Sequence, residues 1–151
     1  RQARLVIVGG GRDAGLVRGL EPAARQRVLF QPAADDVFAW YSAADAVVLL
    51  SWQDACSRVV LEAIRWGVPA LTTRYNGAAE LLADGAGRTI ESPRDRAGLV
   101  AAMAELCDPG KRLEMAQACR RRADFAGVAR QVDQLLEVYA GAVARRAGPA
   151  R

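Results

Sequence analysis

Short runs of aliphatic residues punctuate the first half of the chain, at residues 4–8 (RLVIV), 27–30 (RVLF), 46–50 (AVVLL) and 68–73 (VPALTT). They are continuous rather than alternating, the pattern of strands covered on both faces of a parallel sheet. A weaker run follows at residues 87–90 (GRTI). Between them lie segments of helical length at 13–20, 35–43, 57–66 and 77–83. Strand and helix alternate, which predicts an α/β domain with a doubly wound parallel sheet. After Pro93 the pattern is wholly helical. The last helix sets Val128, Val132, Leu135, Leu136 and Tyr139 on one stripe, which predicts that it docks on something. There is no internal repeat, low-complexity tract or linker before the closing Gly-Pro-Ala-Arg.

Composition narrows the function classes. With 151 residues, 52% hydrophobic and 25% charged, the chain suits one folded domain with a real core. No apolar run approaches the ~18–20 residues of a membrane span, and the first residues enter a strand pattern without the regions of a signal peptide. Cys56, Cys107 and Cys119 are odd in number and unpatterned, which argues against a disulfide framework or a zinc site and for a reducing cytoplasm. Histidine is absent, so no histidine-based triad can be built from this chain alone. The net charge of +4 raises the question of nucleic acid. Arg120, Arg121, Arg122, Arg145 and Arg146 fall in helical stretches with no interleaved aromatics to stack bases, and a solvated face explains them better. A basic face would also be drawn to anionic lipid.

In open α/β sheets, ligands bind beyond the carboxyl ends of the strands. Two loops qualify. Gly9, Gly11 and Ala14 fit G-x-G-x-x-A, the dinucleotide-binding turn. The next strand, however, ends in Gln31 and Pro32, where a dinucleotide site needs an acid for the ribose, so a nicotinamide cofactor is disfavoured. The second loop, "LLSWQDACS", runs from strand to helix with Ser57 as N-cap. Amides at such a terminus attract phosphate, and Arg58 beside them would help an anion. Asp54 precedes the helix and Glu62 lies inside it; carboxylates accept hydrogen bonds from paired sugar hydroxyls. The spacing suits a sugar nucleotide, but on spacing alone ordinary solvated charge explains the pair better.

The same stretch resembles the donor signature of the retaining GT-B glycosyltransferases of family 4, the group 1 glycosyl transferases. That signature is an acid, seven residues, Glu, a small-residue turn, Pro, a strand and a GG-x-x-E loop. Here it reads Asp54, ACSRVVL, Glu62, AIRWGVPALTT and YNGAAEL with Glu80. The segment 28–51, with Asp45, and the closing 125–139 are also similar to the family, so the likeness covers nearly the whole chain.

The resemblance implies a Rossmann-like C-terminal half of a GT-B enzyme, with residues 1–146 as the donor domain and 147–151 as a tail. It implies that Glu62 binds the nucleotide ribose and Asp54, where the family usually has Glu, faces the donor sugar. The backbone amides of Ser57, Arg58 and Val59 would hold the diphosphate. Phe30 and Gln31 would meet the base, with Gly9 and Gly10 in the neighbouring loop. No cofactor and no metal is implied. The expected partners are a nucleotide-sugar donor and a glycan, lipid or small-molecule acceptor, in the cytoplasm, where the basic face would allow peripheral contact with the inner face of a membrane. Cys56-Ser57 stands where the family often has Phe-Gly. The family's first strand, its GR…KG segment and its N-terminal acceptor domain are expected to lie outside this chain, whose single lysine, Lys111, falls in a late helix. An epimerase of the same fold and a non-catalytic nucleotide-binding module are the alternative readings.

Overall fold

The computed structural model describes residues 3–9 and 14–147. It divides after Ala43 into two compact units, Arg1–Ala43 and Ala44–Arg151.

The first unit holds β1 (Leu5–Val8), α1 (Ala14–Val17), α2 (Pro22–Arg25), β2 (Val28–Gln31) and α3 (Phe38–Ala43). β1 and β2 pair in parallel, with Ile7 opposite Phe30 and Val8 opposite Gln31. Pro22 starts α2 at a position where its missing N–H costs nothing. Asp36 starts α3 by accepting from the amides of Phe38 and Ala39 at 3.0 and 3.3 Å. Burial departs from expectation here. Leu5, Val6, Val8 and Leu29 are exposed, because two strands of four residues cannot supply a layer over each face.

The second unit holds β3 (Val47–Leu49), α4 (Arg58–Arg65), β4 (Ala70–Thr73), a 3-10 turn (Gly77–Leu82) and β5 (Gly87–Ile90). The helices α5 (Arg96–Leu106), α6 (Pro109–Arg122) and α7 (Val128–Ala147) follow, with a 3-10 turn (Ala123–Ala126) before the last. The parallel order is β3-β4-β5. β4 is therefore central, and all four of its residues are buried, as a continuous apolar run predicts. Leu71 joins Ile90, Ala102, Leu106 and Met115 in the core. On α4, Val60, Ala63 and Ile64 form a helical stripe with no exposed surface. Asp95 and Asp108 cap α5 and α6 by accepting amides within the first turn. Asp45 forms an ion pair with Arg112 at 3.1 Å.

The parallel α/β architecture with C-terminal helices agrees with the sequence pattern, but the strands form two sheets, one in each unit. The segment at 77–83 is a 3-10 turn rather than an α-helix. On α7 the stripe is helical as predicted, yet Val128, Val132, Leu135, Leu136 and Tyr139 stay exposed.

The loop after β3 and the turn after β4 are zipped together. The Asp54 amide donates to the Tyr75 carbonyl at 3.1 Å, and the Gly77 amide donates to the Asp54 carbonyl at 2.9 Å. Asp54 and Asn76 thereby form an isolated parallel bridge. A Cβ on Gly77 would stand 1.9 Å from the Ala55 carbonyl oxygen, so the approach requires glycine. We expect Gly77→Ala to lower stability by about 1–3 kcal/mol, the cost of forcing atoms into packed space; urea unfolding of the two chains checks this. Thiol chemistry gives a second test. Cys119 is fully buried, its Sγ donates to the Ala86 carbonyl, and burial pushes its pKa up to about 11. It stays a protonated, unreactive thiol at neutral pH, whereas Cys56 is exposed. Mass spectrometry after brief alkylation should find Cys56 modified in the native chain and Cys119 modified only in denaturant.

Candidate functional site

The site grows from the carboxyl ends of β3 and β4. Thr73 Oγ1 donates to the Ser51 carbonyl at 2.6 Å and Thr72 Oγ1 to the Leu49 carbonyl at 2.7 Å. These two threonines fix the path along which the chain leaves β3. Ser51 Oγ is buried without a protein partner. Beyond it, Asp54 is half-buried and accepts the Cys56 amide at 3.1 Å, which curls the loop toward α4.

Ser57 caps α4: its hydroxyl accepts the Val60 amide at 3.4 Å, and the residue is buried. The Ser57 amide itself is engaged, donating to Asn76 Oδ1 at 3.3 Å. Arg58 projects into solvent, its side chain 88% exposed, and meets Glu62 Oε1 at 3.1 Å one turn along the helix. Glu62 is more sheltered, with 27% of its side chain exposed. A cation in the first turn of a helix is unfavourable to the dipole, and Glu62 offsets it locally. Val59 is exposed beside Arg58. The structure thus brings Asp54, Ser57, Arg58, Val59 and Glu62 onto one loop and the first turns of one helix. Along this loop and helix start lie a guanidinium, the kind of group that meets an anion, and two carboxylates, which can accept hydroxyls.

Glu80 lies in the 3-10 turn and is exposed. Trp52 and Tyr75 flank the zipped loops with ring centroids 6.3 Å apart, and the guanidinium groups of Arg94 and Arg74 lie over them at 5.2 and 5.5 Å. Glu91 pairs with Arg74 at 2.9 Å and raises its pKa further.

The remaining predicted residues belong to the first unit. Gly9 follows β1 with φ of +140°, a conformation open to glycine, and its amide donates to the Gln31 carbonyl at 3.1 Å. Phe30 and Gln31 are half-buried at the end of β2. Gly10 and Gly11 lie outside the described residues. Among the described residues, no group of three or more His, Cys, Asp or Glu side chains could hold a metal ion, and no helix is long and apolar enough to cross a membrane. Asn76 was not among the predicted site residues. It is buried against both loops, and its only signal in sequence is an Asn-Gly pair, which reads as a turn.

Comparison with known proteins places the chain. The family described as glycosyl transferases group 1 matches residues 1–109. The D-inositol 3-phosphate glycosyltransferase of Pseudarthrobacter chlorophenolicus is 31% identical over 96% of this chain and 36% of its own length. The chain thus spans about a third of that relative. Among solved structures, WaaG, a glycosyltransferase involved in lipopolysaccharide biosynthesis, superposes with a TM-score of 0.73 at 31% identity, over 80% of this chain and 34% of WaaG. HepE of Anabaena, solved with UDP-glucose, shares the fold at a TM-score of 0.71 and 21% identity, over 91% of this chain and 41% of HepE. With this match, and with parallel β-α units leading into C-terminal helices, the chain belongs to the group 1 glycosyl transferase family, with the Rossmann-like fold of a GT-B half-domain.

Proposed function

We propose that this chain is the donor half of a glycosyltransferase that moves a hexosyl unit from a nucleoside diphosphate sugar to an acceptor, with retention at the anomeric carbon. The observation that carries the reading is the start of α4, where Ser57 caps the helix, Arg58 pairs with Glu62, and Asp54 lies in the loop that leads in. The family match and the UDP-glucose held by HepE, a protein of the same fold, support a nucleotide-sugar ligand. In this reading residues 1–146 are the donor domain and 147–151 its tail. The acceptor domain is contributed by further chain, in keeping with relatives about three times as long. The acceptor is a glycan, lipid or small molecule; Arg145 and Arg146 would favour a site beside anionic lipid at the cytoplasmic face.

Each group has a part. Glu62 accepts the ribose hydroxyls and Asp54 those of the sugar. The amides of Arg58 and Val59 face the diphosphate, and the Ser57 amide joins them by exchanging its partner Asn76. Gly9, Gly10, Phe30 and Gln31 serve the base and the adjoining loop. In transfer, the bond from the anomeric carbon to the diphosphate oxygen breaks and the electron pair leaves with the diphosphate. The acceptor hydroxyl bonds to that carbon, and its proton passes to an oxygen of the departing diphosphate. Arg58 and the helix terminus stabilise the charge that develops on the departing phosphate.

Glu62→Ala should weaken UDP binding by about 1–3 kcal/mol, the range for lost charged hydrogen bonds. Asp54→Ala should spare UDP and weaken the sugar-bearing donor. Calorimetric titration with UDP and with UDP-hexose separates the two roles. Equal affinity of the Glu62 variant and the parent for UDP would remove the ribose assignment, and a like response of plain UDP to both substitutions would merge the roles. The 151-residue chain alone should transfer no sugar, because near-attack placement of an acceptor supplies much of the rate. Incubation with labelled sugar nucleotides and a cell-envelope extract checks this. Label transfer above a Glu62→Ala control would mean that the chain is complete.

A further inference from the structure

We propose that Asn76 is a positioning residue of the donor site, setting from outside the helix the Ser57 amide that the donor-site reading assigns to the diphosphate. The inference rests on the donor-site reading above and deepens it. Asn76 is 1% exposed, and its amide group is used at both ends. Oδ1 accepts from the Ser57 amide at 3.3 Å and from the Ala78 amide at 3.0 Å. Nδ2 donates to Thr72 Oγ1 at 3.1 Å, and that hydroxyl donates on to the Leu49 carbonyl at 2.7 Å. One side chain therefore links the end of β3, the central strand β4, the turn after β4 and the amide at the start of α4.

The chemistry requires an amide at this position. An acceptor must face Ser57 and Ala78 while a donor faces Thr72, and a carboxylate offers acceptors only. The three bonds are unequal. The one to Ser57 is the longest, at the far edge of useful N–H···O distance, so it is the easiest to exchange for a phosphate oxygen. The other two hold the side chain in place while that exchange occurs. The Asp54 backbone is locked to the same turn on either side of Asn76, so the carboxylate of Asp54 and the amide of Ser57 are placed by one support. Asn76 acts through these groups and need not touch the ligand.

The test compares UDP with uridine in calorimetric titrations of the parent chain, Asn76→Ala, Asn76→Asp and Glu62→Ala, with thermal unfolding run in parallel. A purely structural asparagine lowers the unfolding temperature and shifts both ligands alike. A positioning asparagine changes their ratio, because only UDP carries the phosphates that Ser57 meets. Asn76→Ala should weaken UDP about tenfold and uridine hardly at all, because the start of α4 and the turn after β4 are no longer held in register for the phosphates. Asn76→Asp retains the acceptor and places a negative charge beside the phosphates, so its loss of UDP affinity should be larger and should shrink as salt is added. Should Asn76→Ala not fold, the uncharged Asn76→Ser takes its place, because the charge of Asn76→Asp by itself would change the ratio. An unchanged UDP-to-uridine ratio in the folded, uncharged Asn76 variant, with Glu62→Ala weakening UDP, overturns the role of Asn76 and leaves the donor site standing. No UDP binding by the parent chain overturns both.

Discussion

The backbone bonds between Asp54 and the residues on either side of Asn76 join two crossover loops that would otherwise move independently. A parallel sheet supplies its loops at one edge, but nothing in the strand ladder fixes how those loops lie beside one another. Here one isolated residue pair bridges the two loops beyond the sheet, and Gly77 is the residue that lets the two backbones close. The start of α4 follows from that contact. Ser57 lies three residues beyond Asp54, its hydroxyl occupied with the helix and its amide with Asn76. The helix is anchored from the other side by Val60, Ala63 and Ile64, which are fully buried. Hydrophobic burial fixes where α4 lies, and the loop contact fixes what its first turn presents.

The central strand makes this contact strong enough to matter. β4 is covered on both faces, so Thr72 and Thr73 hold their hydroxyls out of water, where an unpaired group would be costly. Each finds a carbonyl at the end of β3, at 2.7 and 2.6 Å. The pairing of polar groups inside an apolar strand thus sets the exit path of its neighbour. Polar satisfaction and site geometry are here the same bonds.

The elements of the second unit were legible because several signals agree. The run at 68–73 is continuous and apolar, and it is the buried central strand; Ser57, read as an N-cap, caps α4. Spacing placed Asp54 ahead of a capped helix and Glu62 within it, but left a sugar-nucleotide site and ordinary solvated charge both open. Burial of β1 and β2 was not legible. Leu5 and Leu29 look as buried as Leu71 in sequence, and what differs is the number of neighbouring strands, a tertiary quantity. Asn76 was missed for a related reason. Asn-Gly announces a turn, but the partners of its side chain come from Ser57 and Thr72, and only the folded loops bring them within reach.

The first turn of α4 departs from what helix stability alone would select. Arg58 places a positive charge where the dipole is already positive, and with 88% of its side chain in water it gains little from packing. Its partner Glu62 offsets that charge by an exposed pair whose worth is small. An acid at position 58 would serve the helix better. Local rules are commonly broken where a ligand supplies the compensating interaction, and an anion at the terminus would do so for Arg58 and for the amides beside it at once. In the proposed donor-site reading, a guanidinium drawn toward phosphate would exchange this pair for the anion, so the contact that offsets Arg58 within the helix would be the one that opens to bind.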